Sequence, residues 1–550
     1  MAYDIKPKHV RHICEAHDNY WEDKRHEMFR YKSVYETDFW DKERMDYDSS
    51  ILIQTSDGYG YIEGYIASLF SRNPGVVVKS GPRGLGDPKK AQNLANNFLV
   101  KYRSCLEDVS RLALIYPMAF IKMYPKSHPD VYQRIGMTSV VPWQIILDRD
   151  AKHYEDQRFI GHKYYLTLPE AIQNFGNKQY EPIKKMDYFK HQQNEDNAYG
   201  DDSVDDDTMF QYIEVVELYD LVNGNLFFWS PQYSAGNKFL EKDVIPFMDM
   251  NGKPIIPIIP LYFNRCPDAP IEGYSAMKRV YDQLYETNLI RTFQANGVRK
   301  ASRQYIVKRG TFDEESMAQI TSGVDGLFVE IDDDDLPGSI ISLPQNPTPP
   351  ELERYYQAVQ ADKDKGSILA PFTRGESTRS SATEIAALAA YSSSEIGRLA
   401  RERDLTIEAV AENYIIILSM FLEENGNDTV VIDNKAEVVK PQDLQSDWVV
   451  YAQDQAMTPI SESVRKREFI QSIPTLQGLG VPNKTLLNEL VRSLGLPDTF
   501  IEEANKEAEA AISAAKAKAS GAAIKPDATE LQQLSQPVGP NNLRAILGDQ

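Results

Sequence analysis

The stretch from Ala382 to about Glu424 constrains the fold of this chain more than any other. Ile385, Leu388, Ile396, Leu399, Ile407, Val410, Tyr414, Leu418 and Phe421 recur there at helical spacing, as one apolar face of a single helix requires. At 1.5 Å per residue that helix is ~60 Å long. A single compact domain rarely needs such a rod, so it is expected to bridge parts of the molecule or neighbouring subunits. The 550 residues leave room for roughly three to five structural units around it. With 42% hydrophobic and 26% charged residues, the composition is that of a globular protein, not a disordered or fibrous one.

Ahead of that helix the first half reads as α+β. From His9 to about Asp48, Ile13, Tyr20, Trp21, Met28 and Phe29 fall at near-helical intervals, predicting helices. Gly60 to Phe70 is a further helix, stopped before Pro74, and Val76 to Lys79 a strand. Between Lys89 and Leu114, Leu94, Phe98, Tyr102, Leu106 and Val109 predict one long helix. Short β-type runs follow at 119–124, 139–141, 145–147, 159–166, 213–222 and 226–229, with an antiparallel sheet expected.

The middle follows a different plan. A proline-rich run, Ile255 to Pro270, leads into a helix from about Glu272 that is predicted to end at Gly297. A compact insert comes next: strand Arg303 to Lys308, a short helix from Asp313 to Ile320, strand Gly326 to Ile331, the acidic run Asp332 to Asp335, and strand Ser339 to Leu343. After Pro344, Pro347, Pro349 and Pro350 a second helix starts at Glu351, with Leu352, Tyr355, Tyr356 and Val359 on its apolar side. Two helices thus bracket a small α/β module. Leu369 to Ser381 reads as a loop. Past the long helix, Thr429 to Ile432 and Trp448 to Tyr451 are expected to pair as strands, before helices at 461–472, 483–494 and 501–518 and a loose tail.

Charge and motifs narrow the function. Lys plus Arg total 60 against 81 Asp plus Glu, a net charge of -21, whereas a protein that grips nucleic acid by its phosphates is basic over at least one domain. Cys14, Cys105 and Cys266 are scattered and odd in number, which points to a reducing compartment such as a cytoplasm. The longest apolar runs fall short of the ~20 residues of a membrane span, so no membrane partner is expected. Gly81-Pro82-Arg83-Gly84-Leu85-Gly86 is followed by Asp87 and not by the Lys and hydroxyl of a phosphate loop. Ser275 reads as a helix-start residue in preference to a nucleophile. His9, His12, Cys14 and His17 lie close in sequence but spread around a helix, so no metal and no cofactor is expected.

Three charged segments carry alternatives. Asp332 to Asp335 could hold magnesium for phosphohydrolase or nuclease chemistry, yet consecutive strand residues point to opposite faces, which favours a solvated strand end. Between Gln192 and Tyr212 there are seven acidic residues and no basic one, the composition of a solvated insertion. Arg299, Lys300, Arg303, Lys308 and Arg309 form the main basic cluster of an acidic chain. They are either solvated surface or a phosphate or subunit contact.

In this order of parts the chain resembles the portal proteins of tailed bacteriophages, the ring at the head vertex through which DNA is packaged. Local segments agree: Asn73-Pro74-Gly75-Val76-Val77-Val78, the run from Val140 to Ala151 with Pro142-Trp143-Gln144, Arg158-Phe159-Ile160-Gly161-His162-Lys163, and Gly273-Tyr274-Ser275-Ala276-Met277-Lys278. The resemblance implies a multidomain α+β subunit: a wing at 1–270, a stem helix at 271–296, a clip at 297–350 and a second stem helix at 351–367. A tunnel loop would follow at 368–381, the long helix and remaining wing at 382–460, and a helical crown with a tail at 461–550. The acidic stretch at 192–207 departs from that pattern.

What the resemblance further implies is a non-enzymatic homo-oligomeric ring, expected to be dodecameric, in the virion at the capsid vertex, assembled in the host cytoplasm. Its partners would be double-stranded DNA, the terminase large subunit that supplies ATP-driven force, the major capsid or scaffolding protein, and head-completion or tail adaptor proteins. Arg374 and Arg379 of the tunnel loop would touch DNA, and the basic cluster of the clip would meet motor or neighbour. Acidity fits a conduit on physical grounds. A stem ~35 to 40 Å long faces roughly twenty or more phosphates, and a densely basic wall would hold them. The alternatives are a metal-dependent phosphohydrolase using Asp332 to Asp335, or an intracellular adaptor without a pore.

Overall fold

A computed structural model describes residues 4–40, 52–81, 86–183, 211–248, 252–267, 272–301, 305–307, 340–342, 350–366, 382–426, 428–432, 435–452 and 472–474. The chain divides into two compact units, 1–458 and 459–550. Only the helical turn at 472–474 is described in the second; the architecture below is that of the first.

Helix α1 (Pro7–Tyr35) begins with proline in its first turn, where the missing N–H costs nothing. It is one unbroken helix where the sequence suggested several, and buries Trp21, Met28, Tyr31 and Val34. After α2 (Asp57–Leu69) and strand β1 (Val76–Ser80), the segment expected as one long helix is two, α3 (Pro88–Lys101) and α4 (Arg103–Ile115). The backbone leaves helical geometry at Tyr102, with φ -104° and ψ 23°. Beyond the break, the Arg103 guanidinium donates to the Phe70 carbonyl and to Asn73 Oδ1, both at 2.7 Å, pinning the start of α4 to the end of α2. Both helices face one core, so their apolar spacing runs on across the break.

The strands are β2 (Ala119–Pro125), β3 (Ile135–Val140), β4 (Ile145–Leu147), β5 (Phe159–Thr167), β6 (Tyr212–Asp220), β7 (Asn225–Trp229), β8 (Phe239–Val244) and β9 (Ile258–Leu261), with α5 (Leu168–Phe175) after β5. They build two antiparallel sheets, ordered β3-β2-β9 and β4-β5-β6-β7-β8, so the fold is α+β. The sequence reading lacked β8, which carries the charged run Glu241-Lys242-Asp243, and β9, which contains Pro260. Pro260 is tolerated because β9 is an edge strand and its missing N–H lies on the outer side. Lys122 of β2 reaches Glu217 of β6 at 2.5 Å and His162 of β5 at 2.9 Å, tying the two sheets through a buried charged contact.

Beyond them come α6 (Tyr281–Ala301), β10 (Tyr305–Val307), β11 (Ile340–Ser342), α7 (Pro350–Gly366), α8 (Ala382–Asn425), β12 (Asp428–Ile432), β13 (Lys435–Val439) and β14 (Trp448–Ala452). Helix α8 is the long rod read from the sequence. Over Ile396–Glu424 it is long and apolar enough to cross a bilayer, which the sequence reading had denied of any segment. Its apolar side is instead core: Ile396, Leu399, Ile407, Val410, Tyr414, Leu418 and Leu422 are buried, and Tyr414 stacks on Phe98 of α3 at 4.1 Å between centroids. The expected pairing of 429–432 with 448–451 does not form. Strand β12 pairs with β13 in a tight hairpin, and β14 pairs with β1, Ser80 opposite Trp448.

The β9 and β1 edges are closed by side chains, which removes a template for stray strand pairing there. On β9 and just before it, the outward carbonyls of Ile256, Ile258 and Pro260 accept from Asn413 Nδ2 at 3.1 Å, the Tyr154 hydroxyl at 2.5 Å and Thr406 Oγ1 at 3.1 Å. On β1, Asn96 Oδ1 accepts the Val76 N–H at 2.7 Å while its amide donates to the Val76 carbonyl at 3.3 Å, and Gln92 Oε1 accepts the Val78 N–H at 3.2 Å.

Two buried histidines set a pH dependence. His17 Nε2 lies 2.8 Å from the Trp143 carbonyl and must donate to it. Burial pushes its pKa down to about 4 although that bond pulls upward. Burial, and then the Lys122 ammonium, holds His162 well below the ordinary range. In the unfolded chain both imidazoles take a proton near pH ~6.5, so the unfolded state gains protons first as pH falls. Stability is therefore expected to decline from about pH 6.5 to about pH 4, by ~3 kcal/mol at most for His17. Carboxylates held low by hydrogen bonds, such as Asp148 beside Arg158, act at lower pH. Urea midpoints measured across that window should fall for the wild type and fall less for His17→Gln, whose amide can still donate to Trp143.

Candidate functional site

The two helices that bracket the small module are the candidate site, and their residues explain how they are held. Just before α6, the chain is stitched to the body: the Cys266 N–H donates to the Glu272 carbonyl at 2.9 Å, the Tyr274 N–H to Asn264 O at 2.7 Å, and the Ala276 N–H to Leu114 O at 2.9 Å. These bonds use backbone that a helix would need, so α6 starts at Tyr281, after a 3-10 turn at Met277–Arg279, and not at the expected Glu272. Gly273 is required here, since a methyl group on it would run into the Pro117 carbonyl. Ser275 Oγ donates to Ile115 O at 2.6 Å and accepts the Met277 N–H at 3.0 Å, the structural role its sequence position suggested.

The Glu272 side chain is the anchor of this entry segment. It accepts from the Tyr20 hydroxyl, from Lys24 Nζ at 3.0 Å and from Arg149 at 3.1 Å. Burial opposes its charge, but the hydrogen bonds from Tyr20 and Lys24 hold its carboxyl below the usual range. Glu272 therefore stays ionised and binds the entry segment to α1 and to the loop after β4.

Along α6 itself, the buried side carries polar groups. Asn288 Oδ1 accepts the Thr55 N–H at 2.9 Å and the Thr55 hydroxyl at 3.0 Å. Thr292 Oγ1 accepts the Ile53 N–H at 3.0 Å, and Trp40 Nε1 donates to the Ile53 carbonyl at 2.8 Å. Residues 52–55 form no helix or strand, so these side chains supply partners that an isolated extended segment lacks. Helix α7 runs antiparallel to α6, with Gly366 beside Val280 and Gln360 Nε2 donating to Thr287 Oγ1 at 3.2 Å. Lys363 adds an ion pair to Asp57 at 2.7 Å.

The outer sides of this pair are not covered. Of residues 351–366 only Val359 is fully buried, while Leu352 and Tyr356 are half-buried. Phe293 is 60% exposed and Tyr355 is 50% exposed, and Tyr285 is also on the surface.

The charged residues singled out from the sequence distribute unevenly. Helix α6 runs through Gly297 to Ala301, so the expected glycine stop is not used and Arg299 and Lys300 fall in its last turn. Strands β10 and β11 pair antiparallel with Ile306 opposite Ile341, between the two helices in the chain. Arg303, Lys308, Arg309, Arg374, Arg379, Asp332 to Asp335 and the acidic stretch at 192–207 lie outside the described residues. His9, His12, Cys14 and His17 share α1; the Cys14 thiol is buried and pushed up by that burial, and among the described residues no cluster fit to hold a metal occurs.

Sequence reasoning missed Asn288, Thr292 and Glu272. Asn288 and Thr292 lie four apart on the side carrying Leu284, and a polar pair at that spacing within an apolar face was the available signal. No protein-family model matches the sequence, and no curated protein matches it either.

Replacing Asn288 with Ala removes the acceptor for both Thr55 bonds and should cost about 1 to 3 kcal/mol in urea unfolding. Hydrogen exchange should show the Thr55 amide losing protection in Asn288→Ala but keeping it in Asn288→Asp, which retains an acceptor.

Proposed function

We propose that this chain is the subunit of a portal: a homo-oligomeric ring at a capsid vertex through which DNA is packaged and ejected. The reading rests on the likeness in order of parts together with one observation. The α6–α7 pair is anchored to the body on one side and leaves Phe293 and Tyr355, and the part of Tyr285 that Phe39 does not cover, exposed on others. Copies standing side by side would cover them, and the paired helices would become the wall of a channel. In this reading residues 1–270 with 382–460 are the wing, α6 and α7 the stem, 297–350 the clip, 368–381 the tunnel loop and 461–550 the crown.

The chemistry of the roles follows from charge. A channel for duplex DNA meets a polyanion with one charge per ~1.7 Å, and releases counterions wherever it is basic. The chain as a whole carries a net charge of -21, and α6 and α7 together contain no excess of basic residues that would bind such cargo tightly. Arg374 and Arg379 would make sparse, transient phosphate contacts. Arg299, Lys300, Arg303, Lys308 and Arg309 would dock the clip against the terminase large subunit, a head-completion or tail adaptor protein, or a neighbouring subunit. Force and ATP hydrolysis belong to the terminase in this division of labour; capsid or scaffolding protein would surround the wing.

Electron microscopy of the purified chain under native conditions is expected to give closed rings with a central opening, the ring being dodecameric. Particles without an opening would reject the portal reading in favour of a pore-free adaptor. Within a ring, Arg374→Ala combined with Arg379→Ala should change DNA packaging or retention while leaving assembly intact; unchanged packaging and retention would remove those two residues from the account. Reversing the charge of Arg303 and Lys308 should weaken motor docking or clip assembly, read as loss of terminase binding to the ring.

A further inference from the structure

A cleft of about 630 Å³ lies beside α8. Its apolar lining includes Ile256, Tyr262, Leu405 and Ile416, and Leu405 is 54% exposed. Glu402 at its rim is engaged by Arg265 at 2.8 Å. Glu155, also lining it with the cations Lys253 and Arg265, is exposed and makes no hydrogen bond or salt bridge among the described residues, although its charge acts on Arg265. The adjoining strand edge cannot take up another strand. Its outward carbonyls at 256, 258 and 260 are occupied by Asn413, Tyr154 and Thr406, and Pro260 has no N–H to offer. An occupant must therefore bind through side chains.

The β1–β14 ribbon has the complementary character. Its inner face is buried through Val76, Val78 and Trp448. On its outer face Tyr451 stands opposite Val77 and Val449 opposite Lys79, and Tyr451 is 50% exposed. Lys79 lies over the Tyr451 ring, 5.3 Å from its centre, and pairs with no carboxylate among the described residues. Ribbon and cleft also occupy different flanks of α8. Glu408 accepts the Ala452 N–H on the ribbon side at 2.8 Å, whereas Leu405, Ala409 and Ile416 line the cleft.

We infer that the outer face of the β1–β14 ribbon of one copy docks in the α8 cleft of the next, with Tyr451 and Val449 on its apolar floor and Lys79 paired to Glu155. The two surfaces are complementary: an exposed apolar face whose Lys79 pairs with no carboxylate among the described residues meets a cleft with an apolar floor whose exposed Glu155 forms no salt bridge among them. Two different surfaces of one chain in contact make a head-to-tail interface, the kind that closes into a ring when the rotation allows. The inference rests on the proposed ring and deepens it by naming which surfaces of the body carry the contact between neighbours.

Native mass spectrometry of the full chain, as a function of concentration, tests it. Lys79→Glu and Glu155→Lys should each raise the concentration needed for half assembly about tenfold, through like-charge repulsion across the interface. The double reversal should bring it back toward the wild type, which also shows that the exposed substitutions leave folding intact. A Tyr451→Cys and Leu405→Cys double variant should give a ladder of oxidised oligomers absent from either single variant. A wild-type ring whose assembly is unmoved by both single reversals, or a double reversal no better than the singles, overturns this contact and leaves the ring. A wild-type chain that stays monomeric overturns the ring and the contact together.

Discussion

The apolar residues of α7 lie on one side, yet packing against α6 fully buries only Val359 of them and leaves Tyr355 half exposed, with Lys363 reaching Asp57. That shortfall is the constraint on which the account turns. Covering a large aromatic side chain is worth roughly 1.5 to 3 kcal/mol, so Phe293 and Tyr355 at the surface represent stabilisation that the single chain forgoes. The body shows the opposite behaviour. There α8 meets α3 through Tyr414 and Phe98, β9 through Thr406, the residue Ile256 ahead of β9 through Asn413, and β14 through Glu408, and Ile396, Leu399, Ile407, Val410, Leu418 and Leu422 are buried.

The contrast extends to polar groups. In the body, the β1 and β9 edges are capped by Asn96, Gln92, Asn413, Tyr154 and Thr406, so these two edges cannot take up another strand. Asn288, Thr292 and Glu272 spend their hydrogen bonds on fixing α6 to the body. Buried polar side chains of this kind give direction more than net stability, since each bond replaces one to water. They set where the helix pair stands while leaving its outer sides available.

Much of the fold was legible because it is periodic. Helix α8 and the strands from β2 to β7 announce themselves by apolar spacing. What escaped has physical causes. The break at Tyr102 is made by Arg103 reaching a different helix, a tertiary bond that no local pattern carries. Strand β9 contains a proline that only an edge position allows, and β14 pairs with β1 from the far end of the unit, where the nearer β12 had seemed the partner by sequence. Gly297 is passed over, because a glycine inside a helix costs only about 1 kcal/mol and packing can outweigh it. Of the candidate site, the bracketing helices and their apolar residues were visible in the sequence. The polar anchors were not, since Asn288 and Thr292 gain their meaning only from the extended segment at 53–55 that they hold.

The central claim is that the outer sides of α6 and α7 are buried by other copies of the same chain. Hydroxyl-radical footprinting of the native particle, compared with the same chain dissociated under mild conditions, measures this directly at Tyr285, Phe293 and Tyr355. The account expects these side chains to be strongly protected in the particle and modified in the dissociated chain, while the exposed Tyr59 of α2 serves as the internal reference. Equal labelling of all three in both states would contradict it.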